Sequence, residues 1–128
     1  MGFISEVLSG LKSAIISALR WIKEFFRKVI NGILNFARDL VAWYHRRVLK
    51  PGIDTPFILN AKSFKELIKN APVKDVGIFS NQQKNVSVMS GIYNEEIDEI
   101  TDNQIIEADS LDAKTREVLG NKELVVLS

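Results

Sequence analysis

Apolar residues recur along residues 3–49 at the 100° spacing of an α-helix, and this pattern is the longest feature of the chain. Only Asn31-Gly32 inside it is typical of a turn, and the phase of the pattern continues through that pair. Pro51-Gly52 then excludes further helix. We predict one continuous amphipathic helix over residues 1–50; a kink or a fold-back at Asn31-Gly32 stays an open alternative. Its apolar side carries Ile4, Leu8, Leu11, Ile15, Ala18, Ile22, Phe25, Val29, Ile33, Phe36, Leu40 and Tyr44.

The length of this helix has a physical consequence. At 1.5 Å per residue it is roughly 70 Å long, whereas residues 51–128 can form a globule only about 30 Å across. More than half of the apolar side would then remain in water. Burial of each such side chain stabilises a protein by about 1.5–3 kcal/mol. We therefore expect the exposed apolar surface to bind another apolar surface.

The width of the apolar side limits what that other surface can be. An arc of roughly 220° is wider than the seam of a two-stranded coiled coil and fits a lipid interface or a multi-helix bundle. Two tryptophans at one border favour the headgroup level of a membrane, and basic side chains occupy the other border and the polar face. The residues predicted to contact a membrane or partner are Leu8, Leu11, Ile15, Trp21, Ile22, Phe25, Phe26, Val29, Ile33 and Trp43. The predicted basic face consists of Lys12, Arg20, Lys23, Arg27 and Arg38.

Charge is distributed unevenly along the chain. Residues 1–50 contain nine Lys/Arg and three Asp/Glu, whereas residues 51–128 contain eight Lys/Arg and thirteen Asp/Glu. The two parts are therefore expected to face different partners or to attract each other. The chain has no cysteine, which excludes disulfides and thiolate metal sites. We expect no secretory signal and no transmembrane span, so the predicted location is intracellular or within a large assembly, peripheral to a membrane.

The remainder of the chain predicts a connector over residues 51–62 and a small acidic domain over residues 63–128. The whole chain is then an α+β protein, in which a long N-terminal amphipathic helix precedes three or four strands and two short helices. Asp109 or Ser110 is expected to cap the second short helix, and Gly120 to end it. The predicted elements are a helix at 64–70 opened by a Ser63–Glu66 capping box, a strand at 76–80, a hairpin at 86–93 and 99–107, a helix at 111–119, and a central closing strand at 123–127.

Candidate chemistry is sparse. The acidic run from Glu95 to Asp102 does not fit a calcium-binding EF-hand loop. A loop starting at Asp98 would need Gly at its position 6 and Glu at its position 12, and it has neither. We therefore interpret the run as a solvated hairpin tip. His45, the single histidine, has no neighbouring acid or nucleophile at catalytic spacing. Phosphate-binding and hydrolase motifs do not occur. We therefore predict no metal, no cofactor and no enzymatic activity, and we do not expect nucleic-acid binding because the apolar arc exceeds the basic face.

Two functional hypotheses follow. In the first, the protein is a structural or adaptor protein whose helix attaches to a membrane surface while its C-terminal domain contacts a protein partner. In the alternative, the helix joins a multi-helix bundle in a homo- or hetero-oligomeric assembly, such as a virion. Both hypotheses rest on an apolar stripe that the chain itself cannot cover.

Overall fold

The computed structural model describes residues 2–22, 24–60 and 84–127, with side chains from residue 10 onward in the first helix. These residues form a mixed α+β fold with seven strands in two sheets and three α-helices. The elements are α1 (Gly2–Leu19), β1 (Arg27–Val29), β2 (Ile33–Leu34), a π-helical segment (Phe36–Val41) that runs into α2 (Ala42–His45), β3 (Asp54–Asn60), β4 (Val86–Asn94), β5 (Glu99–Ala108), β6 (Ser110–Leu111), α3 (Ala113–Leu119) and β7 (Leu124–Val126).

The larger sheet has the strand order β1-β5-β4-β3-β7. Strand β1 runs parallel to β5, and the other neighbours are antiparallel. A β-bulge lies between Ile92 and Tyr93, opposite the first half of β5. The smaller sheet is a parallel pair formed by β2 and β6. The segment from β1 to β2 therefore accompanies β5 and β6 along one side of the molecule.

Both faces of the larger sheet are covered. Alternate strand residues point to opposite faces, so Phe57 and Leu59 of β3 pack on one side and Ile58 on the other. The first face packs against Ile15, Ala18 and Leu19 of α1, together with Ile22 and Phe25. The second face packs against Leu40 of the π-helical segment and Leu119 of α3, and Trp43 and Tyr44 of α2 pack on Ile92 beside them. The described residues thus form three layers, with helix on each side of a sheet.

The prediction of one long N-terminal helix is wrong. Helix α1 ends at Leu19, and the chain then continues through an irregular segment to β1. Two local features oppose a helix in the segment after this break. Residues 25–30 are rich in aromatic and β-branched side chains that suit a strand. Gly32 has a φ of +137°, which residues other than glycine rarely adopt. With an apolar arc this wide, the helical period also fitted residues that in fact form the short strand β1.

The break removes the length mismatch on which the functional hypotheses were based. At 1.5 Å per residue, an 18-residue α1 is about 27 Å long and matches the sheet beneath it. The side chains of Ile15 and Leu19 are fully buried against that sheet. Much of the predicted stripe is therefore covered by the protein itself.

Other predictions have mixed outcomes. The hairpin is confirmed as β4 and β5, and the last helix is confirmed as α3, although its cap is Asp112 rather than Asp109 or Ser110. The predicted connector contains β3, which lies between β4 and β7 in the sheet. The closing strand forms, but as the edge strand β7 instead of a central one, because β3 is its single partner among the described strands. The helix predicted at 64–70 and the strand at 76–80 lie outside the described residues.

Gly91 of β4 is required by the packing of Phe57, which pairs with it across the strands. A Cβ added at Gly91 would lie 2.2 Å from the Cζ atom of the fully buried Phe57 ring. We expect Gly91→Ala to lower the free energy of unfolding by about 1–3 kcal/mol, because the ring has no space to move into.

Urea denaturation followed by circular dichroism measures this effect, and Gly10→Ala is the matched control. Gly10 lies in α1 with no atom within 4 Å of an added Cβ, so its replacement should stabilise by up to about 1 kcal/mol. Equal effects of the two substitutions would contradict the packing argument.

Candidate functional site

The apolar residues predicted to contact a membrane or partner separate into two groups in the structure. One group belongs to the protein's own core, and the other remains exposed between α1 and β2. The buried group is Ile15, Ile22, Phe25 and Trp43, with Leu11 partly buried against the same core. The exposed group is Trp21 (70% exposed), Phe26 (51%), Val29 (51%) and Ile33 (58%). The side chain of Leu8 lies outside the described part of the chain.

The predicted basic face is also divided. Several of its cations pair with carboxylates of the same chain, which reduces the charge available to an external surface. Arg20 is exposed, and Lys23 lies outside the described residues. The ion pairs are Lys12–Glu123 (3.5 Å), Arg27–Glu107 and Arg38–Asp39 (2.9 Å).

Three of the exposed apolar residues, Phe26, Val29 and Ile33, lie in or near β1, and we call the outward side of β1 the open edge. The Ile105 amide donates to the Phe26 carbonyl at 2.6 Å, and the Ile30 amide donates to the Glu107 carbonyl at 2.8 Å. In this parallel pairing, Arg27 and Val29 direct their backbone groups away from β5. No other strand of the described residues pairs with β1 on that side. The open edge therefore offers unpaired backbone donors and acceptors beside exposed apolar side chains.

A cleft of about 370 Å³ adjoins the open edge at Phe26, and we call it the aromatic–acidic cleft. Its aromatic side chains are Trp21 and Phe26, and its apolar floor includes Ala18 and Ile22. The other wall is the start of the second hairpin strand, residues 98–103, which brings three carboxylates to the cleft. Glu24 contributes a fourth.

Asn103 holds the two walls of the cleft at a fixed separation. Its side chain is almost completely buried; it donates to the Glu24 carbonyl at 2.9 Å and accepts from the Phe26 amide at 3.3 Å. These contacts link residues separated by 79 and 77 positions in the chain. The sequence analysis missed this role, because nothing in a local pattern indicates which distant segment a lone asparagine will meet.

Two of the cleft carboxylates already have partners. Asp102 pairs with Arg47 at 2.5 Å, and the Arg47 guanidinium lies 3.8 Å from the centre of the Trp43 ring. Asp98 accepts a hydrogen bond from the Tyr93 hydroxyl. Burial, together with the carboxylates of Asp98 and Glu95, raises the pKa of Tyr93 to about 12. The high pKa agrees with a negative potential at this end of the hairpin.

Buried carboxylates elsewhere bind donors of neighbouring elements and so stabilise the fold. Asp39 is 5% exposed; it accepts from the Asn35 amide at 2.8 Å and lies 3.8 Å from Lys28 in addition to pairing with Arg38. Burial alone would raise the pKa of Asp39, but the hydrogen bonds from Arg38 and the Asn35 amide and the charges of Arg38 and Lys28 outweigh it and lower that pKa.

Asp112 has a similar structural role at the start of α3. It accepts from the Thr115 amide at 2.9 Å and from the Phe36 amide at 3.0 Å, and so joins α3 to the π-helical segment. Burial opposes ionisation, but the hydrogen bonds from Thr115 and Phe36 and the charge of Arg116 outweigh it and lower the pKa of Asp112.

Glu107 is the most buried acid among the described residues, at 2% exposure. One carboxylate oxygen binds Arg27, which attaches β1 to β5. The other oxygen has no hydrogen-bond partner among the described residues. Glu107 lines neither the aromatic–acidic cleft nor the smaller one on the far side of Phe26, so it has no access to a substrate there.

The described residues hold no group of three or more His, Cys, Asp or Glu side chains placed to bind a metal ion. His45 is exposed on α2. Among the helices of the described ranges, none has the length and hydropathy needed to cross a bilayer. The described residues therefore define a small three-layer α+β protein in which β1 and β7 are the edge strands of the larger sheet and the aromatic–acidic cleft lies beside β1. Comparisons with protein-family models, with curated proteins and with solved structures found no match to this chain.

The buried carboxylates predict a loss of stability in acid. Because the pKa values of Asp39 and Asp112 are lowered in the folded state, their ionised forms stabilise the protein above the unfolded pKa of about 3.9. This stabilisation is lost as the pH falls through the folded values. We expect Asp39→Asn to lower the free energy of unfolding by about 1–2 kcal/mol at pH 7 and by much less at pH 3.

Urea denaturation at the two pH values measures both effects. Asp112→Asn removes the charge but keeps a side chain that caps α3 well. It should therefore also reduce the difference in the free energy of unfolding between pH 7 and pH 3. Glu96→Gln, on the exposed hairpin loop, serves as the control. If Asp39→Asn lost as much stability on acidification as the wild type, the stabilising role of the ionised Asp39 would be contradicted.

Proposed function

We propose that the protein is a non-enzymatic assembly protein whose copies join through the open edge. One observation carries this proposal: the outward side of β1 has no partner strand among the described residues, and three half-exposed apolar side chains, Phe26, Val29 and Ile33, lie in or near it. Proteins that function as monomers generally protect such an edge with proline, a covering element or charge, because it pairs readily with another strand. This proposal keeps the assembly hypothesis but replaces the helix bundle with a sheet edge as the point of contact.

The pairing that fits best is antiparallel, between the β1 strands of two copies. A two-fold axis places the same surface of each copy in contact, which is the commonest symmetry of soluble oligomers. The outward backbone groups of Arg27 and Val29 would then pair with those of the second copy, and the two sheets would become continuous. Val29, which lies within β1, would lose contact with water.

Charge on the edge does not oppose this pairing strongly. Arg27 and Lys28 would approach their counterparts in the second copy, and like charges directly opposite each other destabilise a sheet. Each cation is, however, already paired within its own chain, Arg27 with Glu107 and Lys28 with Asp39. The net charge at the interface is therefore small.

Val29→Pro tests the proposal directly. The Val29 amide points away from β5, so proline removes only the outward donor and is tolerated at an edge strand. We expect the wild type to have a dimeric mass in light scattering and Val29→Pro to be monomeric, with the circular dichroism spectrum unchanged.

Val29→Thr is the matched control, because it keeps the amide and the β-branched shape, and it should remain dimeric. A monomeric wild type would overturn the proposal. So would a folded Val29→Pro variant with the wild-type mass.

A second candidate function, attachment to a membrane surface, is favoured by a separate observation. Trp21 is 70% exposed just after the end of α1, and the exposed Arg20 precedes it. An indole beside a cation suits the headgroup region of an anionic membrane. On this candidate we expect the wild type to float with anionic vesicles at low salt and Trp21→Ser to stay behind.

The two candidates are separated by the same pair of variants. Val29→Pro should still float if Trp21 is the attachment point, because the edge is not involved. Failure of the wild type to float would exclude the membrane candidate and leave the assembly proposal unaffected.

A further inference from the structure

The aromatic–acidic cleft joins two chemical features that the sequence keeps apart. Trp21 and Phe26 come from the segment after α1, whereas Asp98 and Glu99 come from the end of the β4–β5 hairpin. Both aromatic side chains are at least half exposed, so their ring faces can be reached from solvent. This surface is distinct from the outward backbone of the open edge, and all of its lining residues belong to a single copy of the chain.

The charge of the cleft is only partly compensated. Asp102 is neutralised by Arg47. Glu24 and Glu99 form no ion pair with any residue in the described ranges, and Asp98 receives only the neutral hydroxyl of Tyr93. The described lining residues of the cleft therefore carry an excess of about three negative charges beside two aromatic rings.

This combination selects one class of ligand. An anion such as a phosphate is repelled by the carboxylates, and an uncharged apolar group would cover them without replacing their water. A metal ion would need a tighter set of oxygen ligands than the described residues provide. A cationic side chain satisfies both features, since its charge attracts the carboxylates and favours the face of an aromatic ring.

We propose that the aromatic–acidic cleft binds a lysine or arginine side chain of a protein partner. The alkyl stem would lie on the floor formed by Ala18 and Ile22, and the charged group would lie between the Trp21 ring and the carboxylates of Glu24 and Glu99. A volume of about 370 Å³ accommodates one such side chain with its neighbouring backbone. The partner therefore presents a basic residue on an exposed segment.

Nuclear magnetic resonance of the whole chain, titrated with blocked tripeptides, tests the proposal. The probes are Gly-Lys-Gly, Gly-Arg-Gly and Gly-norleucine-Gly, the last of which has the stem without the charge. We expect the two cationic peptides to shift the Trp21 indole N–H and the amides of residues 98–103. The buried Trp43 indole is an internal reference that should not move.

Matched variants separate the charge of the cleft from the general acidity of the hairpin. Glu24→Gln and Glu99→Gln should each weaken binding of the lysine peptide about two- to fivefold. Trp21→Leu should weaken it by a similar factor through loss of the cation–π contact. Glu96→Gln removes a charge from the hairpin loop outside the cleft and should have no comparable effect.

Three results would overturn the proposal: equal shifts with the norleucine peptide, no shift of Trp21 with either cationic peptide, or equal weakening by Glu96→Gln and Glu99→Gln. The cleft variants should all keep the wild-type mass in light scattering. A failure here is therefore distinguishable from a failure of the assembly proposal, which depends on Val29.

Discussion

The structure depends on the burial of the central sheet on both of its faces. Phe57, Ile58 and Leu59 are consecutive in β3 and all fully buried, although adjacent side chains in a strand point in opposite directions. Each face therefore needs its own cover of helix. Since α1 supplies one cover and the segment 36–45 contributes to the other, the chain between them must cross from one face of the sheet to the other.

This crossing explains why the N-terminal region cannot be a single helix. A straight helix can lie on only one face of a sheet, so residues 20–35 have to pass around its edge. They do so as the short strand β1, which adds to β5 and is attached there by Arg27 and Glu107. Gly32 then allows the sharp change of direction that leads to the second face. The same crossing creates the open edge, because β1 lies at the end of the sheet and β5 is its single neighbour among the described strands.

The two surfaces proposed to bind partners are both products of this crossing. The open edge is the outward side of β1, and the aromatic–acidic cleft is the space left where the crossing segment diverges from the start of β5. The aromatic residues lie on the crossing segment and the carboxylates on the hairpin. Asn103 fixes their relative position through hydrogen bonds to residues 24 and 26.

The sequence by itself determined the parts of the protein that depend on local physics. The two runs at 86–93 and 99–107 predicted the β4–β5 hairpin with its loop at residues 94–98, and helical spacing with a glycine after the last turn predicted α3. The amphipathic character of α1 was also recognised, because Ile15 and Leu19 recur at helical spacing. These features are determined by neighbours within a few positions of each other.

Only the tertiary structure decided where α1 ends and what the apolar residues after it contact. Phe25 and Phe26 are identical residues at adjacent positions. Phe25 is nevertheless buried and Phe26 half exposed, because the sheet lies on only one side of this segment. A wide apolar arc is compatible with a helix or a strand, and the choice follows from the free edge of β5, whose sequence lies about 80 residues away. The cleft has the same origin, since Trp21 and Glu99 acquire a common role only when the crossing segment meets the hairpin.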